Sequence, residues 1–93
     1  MIIPLEEKSL PDSCFVFKHS TQCPVSGDAA AEVKSVEARL PVYWINVIEQ
    51  RELSNWVESE YGVRHESPQL LFIENGQVKE SWSHWKVKRD LLK

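Results

Sequence analysis

The chain has 93 residues, is 42% hydrophobic and 27% charged, and carries a formal net charge of −3 with a pI near 5.6. Its length suggests one domain, 1–93, with a modest core. An acidic chain offers no basic face to a phosphate backbone, so nucleic acid is not an expected partner.

Residues 1–12 read as irregular, broken by Pro4 and Pro11, around a short helical turn at Leu5–Leu10. Ser13–Phe17 is a short apolar run with aromatic and β-branched residues, which favours a buried strand. The polar stretch Lys18–Cys23 reads as a loop. Pro24 suits the first turn of a helix, where its missing N–H costs nothing. Val25, Ala29, Val33, Val36 and Leu40 then line one helical face up to Pro41.

Val42–Ile48 is apolar on both faces apart from Asn46, the pattern of a strand covered on both sides. A second helix is expected over Glu49–Glu60, with Leu53, Trp56, Val57 and Tyr61 inward and Gly62 as its C-terminal cap. Ser67-Pro68 precedes a strand at Gln69–Ile73, Asn75-Gly76 marks a hairpin, and Val78–Trp82 alternates as the return strand. Trp85–Leu92 completes the chain as a last helix, with Lys86, Lys88, Arg89 and Lys93 on its solvated side.

The order is strand, helix, strand, helix, strand, strand, helix. The first three elements form a βαβ unit with a right-handed crossover. The expected architecture is therefore α/β: a mixed four-stranded sheet with helices on both faces.

No apolar run approaches the ~20 residues of a membrane span. The opening Met1-Ile2-Ile3 meets Pro4, Glu6 and Glu7 too soon for a signal peptide, so a cytoplasmic protein is expected. In that compartment Cys14 and Cys23 read as thiols rather than a structural disulfide. The chain has no C-x-x-C pair, and His19, His65 and His84 do not form a metal-ligand spacing, so no metal is expected.

Cys23 is the candidate nucleophile. It lies where a loop meets a helix N-terminus, whose unpaired N–H groups and positive dipole end favour a thiolate. Lys18 and His19 could add positive potential or line a substrate groove, and His19 could orient or deprotonate the thiol. Cys14, in an apolar strand nine residues earlier, reads as core, with a resolving role open only after rearrangement. The four tryptophans read as core and rim packing, although Trp82 or Trp85 could wall a substrate groove.

The element order, Cys23-Pro24-Val25-Ser26 at the first helix and Ser67-Pro68 before the third strand resemble the thioredoxin superfamily. More narrowly, the stretch from Phe17 through Lys18, His19, Ser20, Thr21 and Gln22 to Cys23-Pro24-Val25-Ser26 resembles the thiol motif of the monothiol bacilliredoxins. Those small proteins take bacillithiol off S-bacillithiolated proteins. The resemblance implies that Cys23 is catalytic and that Thr21, Pro24, Ser26, Ser67 and Pro68 support it. It also implies a cis Pro68 facing the cysteine, with the Ser67 backbone free to pair with an extended substrate.

Ser26 stands where a dithiol motif has its resolving cysteine, so a mixed disulfide on Cys23 would need an external thiol. Ser26 could bond the thiolate or be an ordinary helix-start serine. The thioredoxin W-C-G-P-C and iron–sulfur C-G-F-S motifs are absent. So is the Gly-Gly-x-Asp that grips glutathione in glutaredoxins; Trp82-Ser83-His84-Trp85 stands near its place. The expected function is thiol–disulfide exchange by a monomer, with a low-molecular-weight thiol such as bacillithiol as co-substrate and S-thiolated proteins as clients, without a resident cofactor. The alternatives are a redox-silent binding module and an iron–sulfur-bridged dimer.

Overall fold

The computed structural model describes residues 1–93, in which five strands form one mixed sheet. The strands are β1 (Ile2–Pro4), β2 (Cys14–His19), β3 (Val42–Asn46), β4 (Gln69–Glu74) and β5 (Gln77–Ser83). The helices are α1 (Pro24–Lys34) and α2 (Arg51–Tyr61). The sheet order is β1-β3-β2-β4-β5. β1 and β2 run parallel to β3, while β4 is antiparallel to both β2 and β5.

The fifth strand corrects the expected four. Residues 1–12 are not wholly irregular, and the expected turn at Leu5–Leu10 is not a helix. β1 is only three residues long and ends on Pro4, which an edge strand tolerates because one side of its ladder is unpaired. It is secured by Leu5, whose N–H donates to the Trp44 carbonyl at 2.9 Å and whose own carbonyl accepts from Gln50 Nε2 at 2.7 Å.

β2 is the central strand, and Cys14 through Lys18 are fully buried. Side chains alternate across a strand, so successive residues feed opposite cores. Phe15 and Phe17 pack on the α1 side with Ala29, Val33, Leu70, Val87 and Leu92. Cys14 and Val16 pack on the α2 side with Leu5, Ile45, Val57, Leu71 and Ile73. The same alternation sends Lys18 to the α2 side and His19 to the α1 side.

α1 ends at Lys34 instead of continuing toward Pro41. The Ser35 hydroxyl and N–H both turn back to the Glu32 carbonyl, at 2.7 and 3.2 Å, an alternative to the next helical bond. Val36, Ala38 and Leu40 still pack on the α1-side core from irregular chain. Arg39 ties that segment to the C-terminus, giving its N–H to Leu92 O and its guanidinium to Leu91 O and Lys93 O. α2 follows expectation, and Gly62 caps it with φ +69°. Asn75 and Gly76 turn the β4–β5 hairpin with φ of 56° and 76°, the two positive angles of a type I′ turn.

The expected last helix is replaced by two 3-10 turns, His84–Lys86 and Arg89–Leu92. Val87 and Leu92 are both buried, yet five residues of α-helix would place them roughly 140° apart. Breaking the helix at extended Val87 and Lys88 lets both reach the core and leaves Trp85 62% exposed. Arg89 then clamps back onto α1, bonding Glu32 through its backbone N–H at 2.8 Å and its guanidinium at 2.9 Å.

Candidate active site

One end of the sheet gathers the residues of interest. β2 ends at His19 and leads through residues 20–22 to Cys23. Its neighbour β4 begins opposite that end, with Gln69 paired to Lys18, so Ser67-Pro68 lies there too. β5 finishes beside it, with Ser83 opposite Gln69 and the His84 N–H bonded to the Pro68 carbonyl at 3.0 Å.

Cys23 is the N-cap of α1, with extended φ −115° and ψ 118° and Pro24 at the first helical position. Its carbonyl accepts the N–H groups of Ser26 at 3.0 Å and Gly27 at 3.2 Å. Pro24 has no N–H and Val25 N–H meets no protein acceptor, so one orphan donor remains at the helix mouth beside the half-buried thiol. Thr21 and Pro24 are exposed on either side.

Ser26 is fully buried, and its hydroxyl is neither that of a simple helix-start serine nor bonded to the Cys23 thiol. Its Oγ accepts the Ser20 N–H at 2.9 Å and lies 2.8 Å from His19 Nδ1. A buried hydroxyl hydrogen needs an acceptor, and Nδ1 is the one within reach, so Ser26 donates to a neutral His19 protonated on Nε2. Burial first, and the nearby Lys34 charge second, lower the His19 pKa, in keeping with a neutral ring. His19 Nδ1 thus faces Ser26, and the ring packs against Phe17 and Trp44.

Lys18 corrects the sequence reading most clearly. Expected near Cys23 or in a substrate groove, it is fully buried on the opposite side of the sheet. Its Nζ donates to the Ser54 carbonyl at 3.1 Å and lies 3.2 Å from His65 Nδ1. Burial pushes its pKa down to about 8, against a smaller upward pull from Glu58. The strand alternation carried this answer: Lys18 and His19 cannot share a face.

The Ser67–Pro68 bond is cis, and Pro68 is buried. Neither backbone polar group of Ser67 pairs within the chain, and its buried Oγ has no partner. Cys14 is fully buried on the α2 side, away from α1, and burial pushes its thiol up to about 11. Of the two tryptophans offered as groove walls, Trp82 instead packs against the α1-side core, opposite Leu70. Trp85 does line a groove, together with Asp28, His84 and Lys88, which the sequence reading did not single out as site residues.

Strand, cysteine-capped helix and cis-proline loop together define a thioredoxin-fold protein with one accessible thiol. A solved candidate oxidoreductase with a thioredoxin fold superposes with a TM-score of 0.83 at 26% identity, over 96% of this chain and 88% of that one. A thioredoxin-like protein from Edwardsiella tarda shares the fold with a TM-score of 0.67 at 17% identity, over 100% and 99% of the two chains. Thioredoxin from Aeropyrum pernix gives 0.59 at 16% identity, over 85% and 68%. The family model described as "Monothiol bacilliredoxin BrxC" matches residues 3–92, and the chain belongs to that family, whose role is in thiol redox chemistry. No helix is long and apolar enough to cross a membrane.

Proposed function

We propose that this protein removes bacillithiol from protein mixed disulfides by a monothiol mechanism through Cys23. One observation carries the reading: of two cysteines, only Cys23 reaches solvent, and buried Ser26 occupies the place where a second thiol would resolve the disulfide. The Cys23 thiolate attacks the bacillithiol sulfur of a client mixed disulfide. The new S–S bond forms as the old one breaks, and the client leaves as a thiolate that takes a proton from water. A second bacillithiol thiolate then attacks the bacillithiol sulfur held on Cys23. Cys23 is released as thiolate, and the two small thiols leave as their disulfide.

The chain's own residues shape the first step. Cys23 caps the positive end of the α1 dipole, which favours a thiolate there; the Val25 N–H is left without a protein acceptor, and the Cys23 side chain makes no cap hydrogen bond. The Ser26–His19–Ser20 knot holds the preceding loop so that Cys23 stays at the helix mouth. The unpaired Ser67 backbone offers an extended client two hydrogen bonds. No resident cofactor takes part, and the reducing cytoplasm is the setting in which such a thiol stays free.

The test is release of client thiol from a bacillithiolated protein. Wild type and Cys14→Ala should release it at equal rates, and Cys23→Ser should release none. No release by wild type, with Cys23 open to alkylation, would replace this reading with that of a redox-silent binding module.

A further inference from the structure

A groove of about 290 Å³ runs between α1 and the first 3-10 turn. It starts at Val25, two residues past Cys23, and follows one face of α1 through Asp28 to Glu32. At 1.5 Å of rise per residue, Asp28 lies about 7 Å and Glu32 about 13 Å along the axis from Cys23. The opposite wall is His84, Trp85 and Lys88.

The groove is built and its charges are unspent. Glu32 is occupied by Arg89, which fixes the wall to the helix. Asp28 and Lys88 make no ion pair or side-chain hydrogen bond. Lys88 sits at the far end, close enough for its charge to act on Glu32. Trp85 lines the groove and is 62% exposed, so its aromatic face is open to a ligand there. His84 holds φ +55°, a left-handed conformation that a side chain adopts at some cost and that turns the chain into this wall.

We infer that this groove binds the non-sulfur part of the small thiol while its sulfur is at Cys23. The inference rests on the exchange reading above. The order of groups along α1 describes the ligand: an amine next to the sulfur for Asp28, a ring in the middle for the Trp85 face, and a carboxylate at the far end for Lys88. Bacillithiol has that polarity, with a free cysteinyl amine, a sugar ring and a malate. Glutathione does not, because its cysteinyl nitrogen is tied up in an amide and carries no charge beside the sulfur. Selectivity would therefore reside in Asp28 recognising a cationic amine.

The experiment compares three mixed disulfides of one client protein, made with bacillithiol, N-acetylated bacillithiol and 2-mercaptoethanol. Wild type should prefer bacillithiol over its N-acetylated form by about tenfold in kcat/KM, the scale of one charge-assisted contact. Asp28→Asn should erase that preference. Trp85→Ala and Lys88→Glu should raise KM for the bacillithiol disulfide by about tenfold. All three variants should match wild type on the 2-mercaptoethanol disulfide, which also reports that they fold. Wild-type kinetics of all variants on every disulfide would overturn the groove and leave the exchange reading standing. Equal losses on all three disulfides would overturn it as well, and failure of wild type on all three would remove both.

Discussion

Replacing Lys18 by methionine should stabilise this protein near neutral pH and change how its stability depends on alkaline pH. Lys18 is fully buried, and its pKa falls from the ordinary 10.5 to about 8. That gap converts to about 3 kcal/mol of charge burial at neutral pH. Methionine removes this cost, keeps most of the packing, and gives up the bonds to Ser54 O and His65, worth about 1 kcal/mol each. The net expectation is a gain of about 1 kcal/mol at pH 7. The sign of the pH effect follows from proton counting. Between pH 8 and 10.5 the unfolded chain keeps the Lys18 proton and the folded chain has lost it, so stability rises with pH through that window. Cys14 opposes this from pH 9 to 11, because its thiol is held up in the folded state, so the wild-type curve mixes two trends. The difference between wild type and Lys18→Met isolates the lysine. Urea unfolding followed by tryptophan fluorescence at pH 7, 8.5 and 10 should show the variant's advantage shrink and reverse by about 2.5 kcal/mol in total. Parallel curves, within about 0.5 kcal/mol at all three pH values, would refute the assignment of a charged, desolvated Lys18.

Ser26→Ala should cost about 1–3 kcal/mol, because it leaves the half-buried Ser20 N–H and His19 Nδ1 without their protein partner. Hydrogen exchange at the Ser20 amide should quicken in that variant, and unchanged protection would show that the knot does not hold the loop. Gly62→Ala should lower stability by about 1 kcal/mol through backbone strain alone, since φ is +69° and open space surrounds the position. A neutral result in thermal unfolding would mean that the cap relaxes out of the left-handed region.

The central frame was legible from hydrophobic pattern and punctuation. Ser13–Phe17 announces a buried strand and Val42–Ile48 one covered on both faces, which the fold ends at Asn46; Gly62 marks a helix end, and Asn75-Gly76 marks the hairpin. Cys23 and Pro24 place a thiol at a helix start by local chemistry alone. The remaining features are set by tertiary competition. β1 is three residues ending on proline, too short to carry a period. The Val33, Val36 and Leu40 spacing was real burial, but Ser35 diverts the helix and irregular chain delivers the later residues to the same core. The last segment carried apolar residues at positions 87 and 92, a spacing no helical face satisfies, and the Arg89–Glu32 clamp spans 57 residues. At the site, Lys18 and His19 adjoin in sequence, which suggests a shared face. The two-residue period of β2 separates them by the thickness of the sheet, and the groove partners Asp28, His84 and Lys88 converge only through the fold.

Intact-mass spectrometry of the wild-type chain, incubated with a bacillithiolated client and quenched in acid, tests the central claim most directly. The account predicts a mass gain of one bacillithiol, mapped by peptide analysis to Cys23, with Cys14 alkylated only after unfolding. A product carrying a Cys14–Cys23 disulfide and no adduct would contradict it.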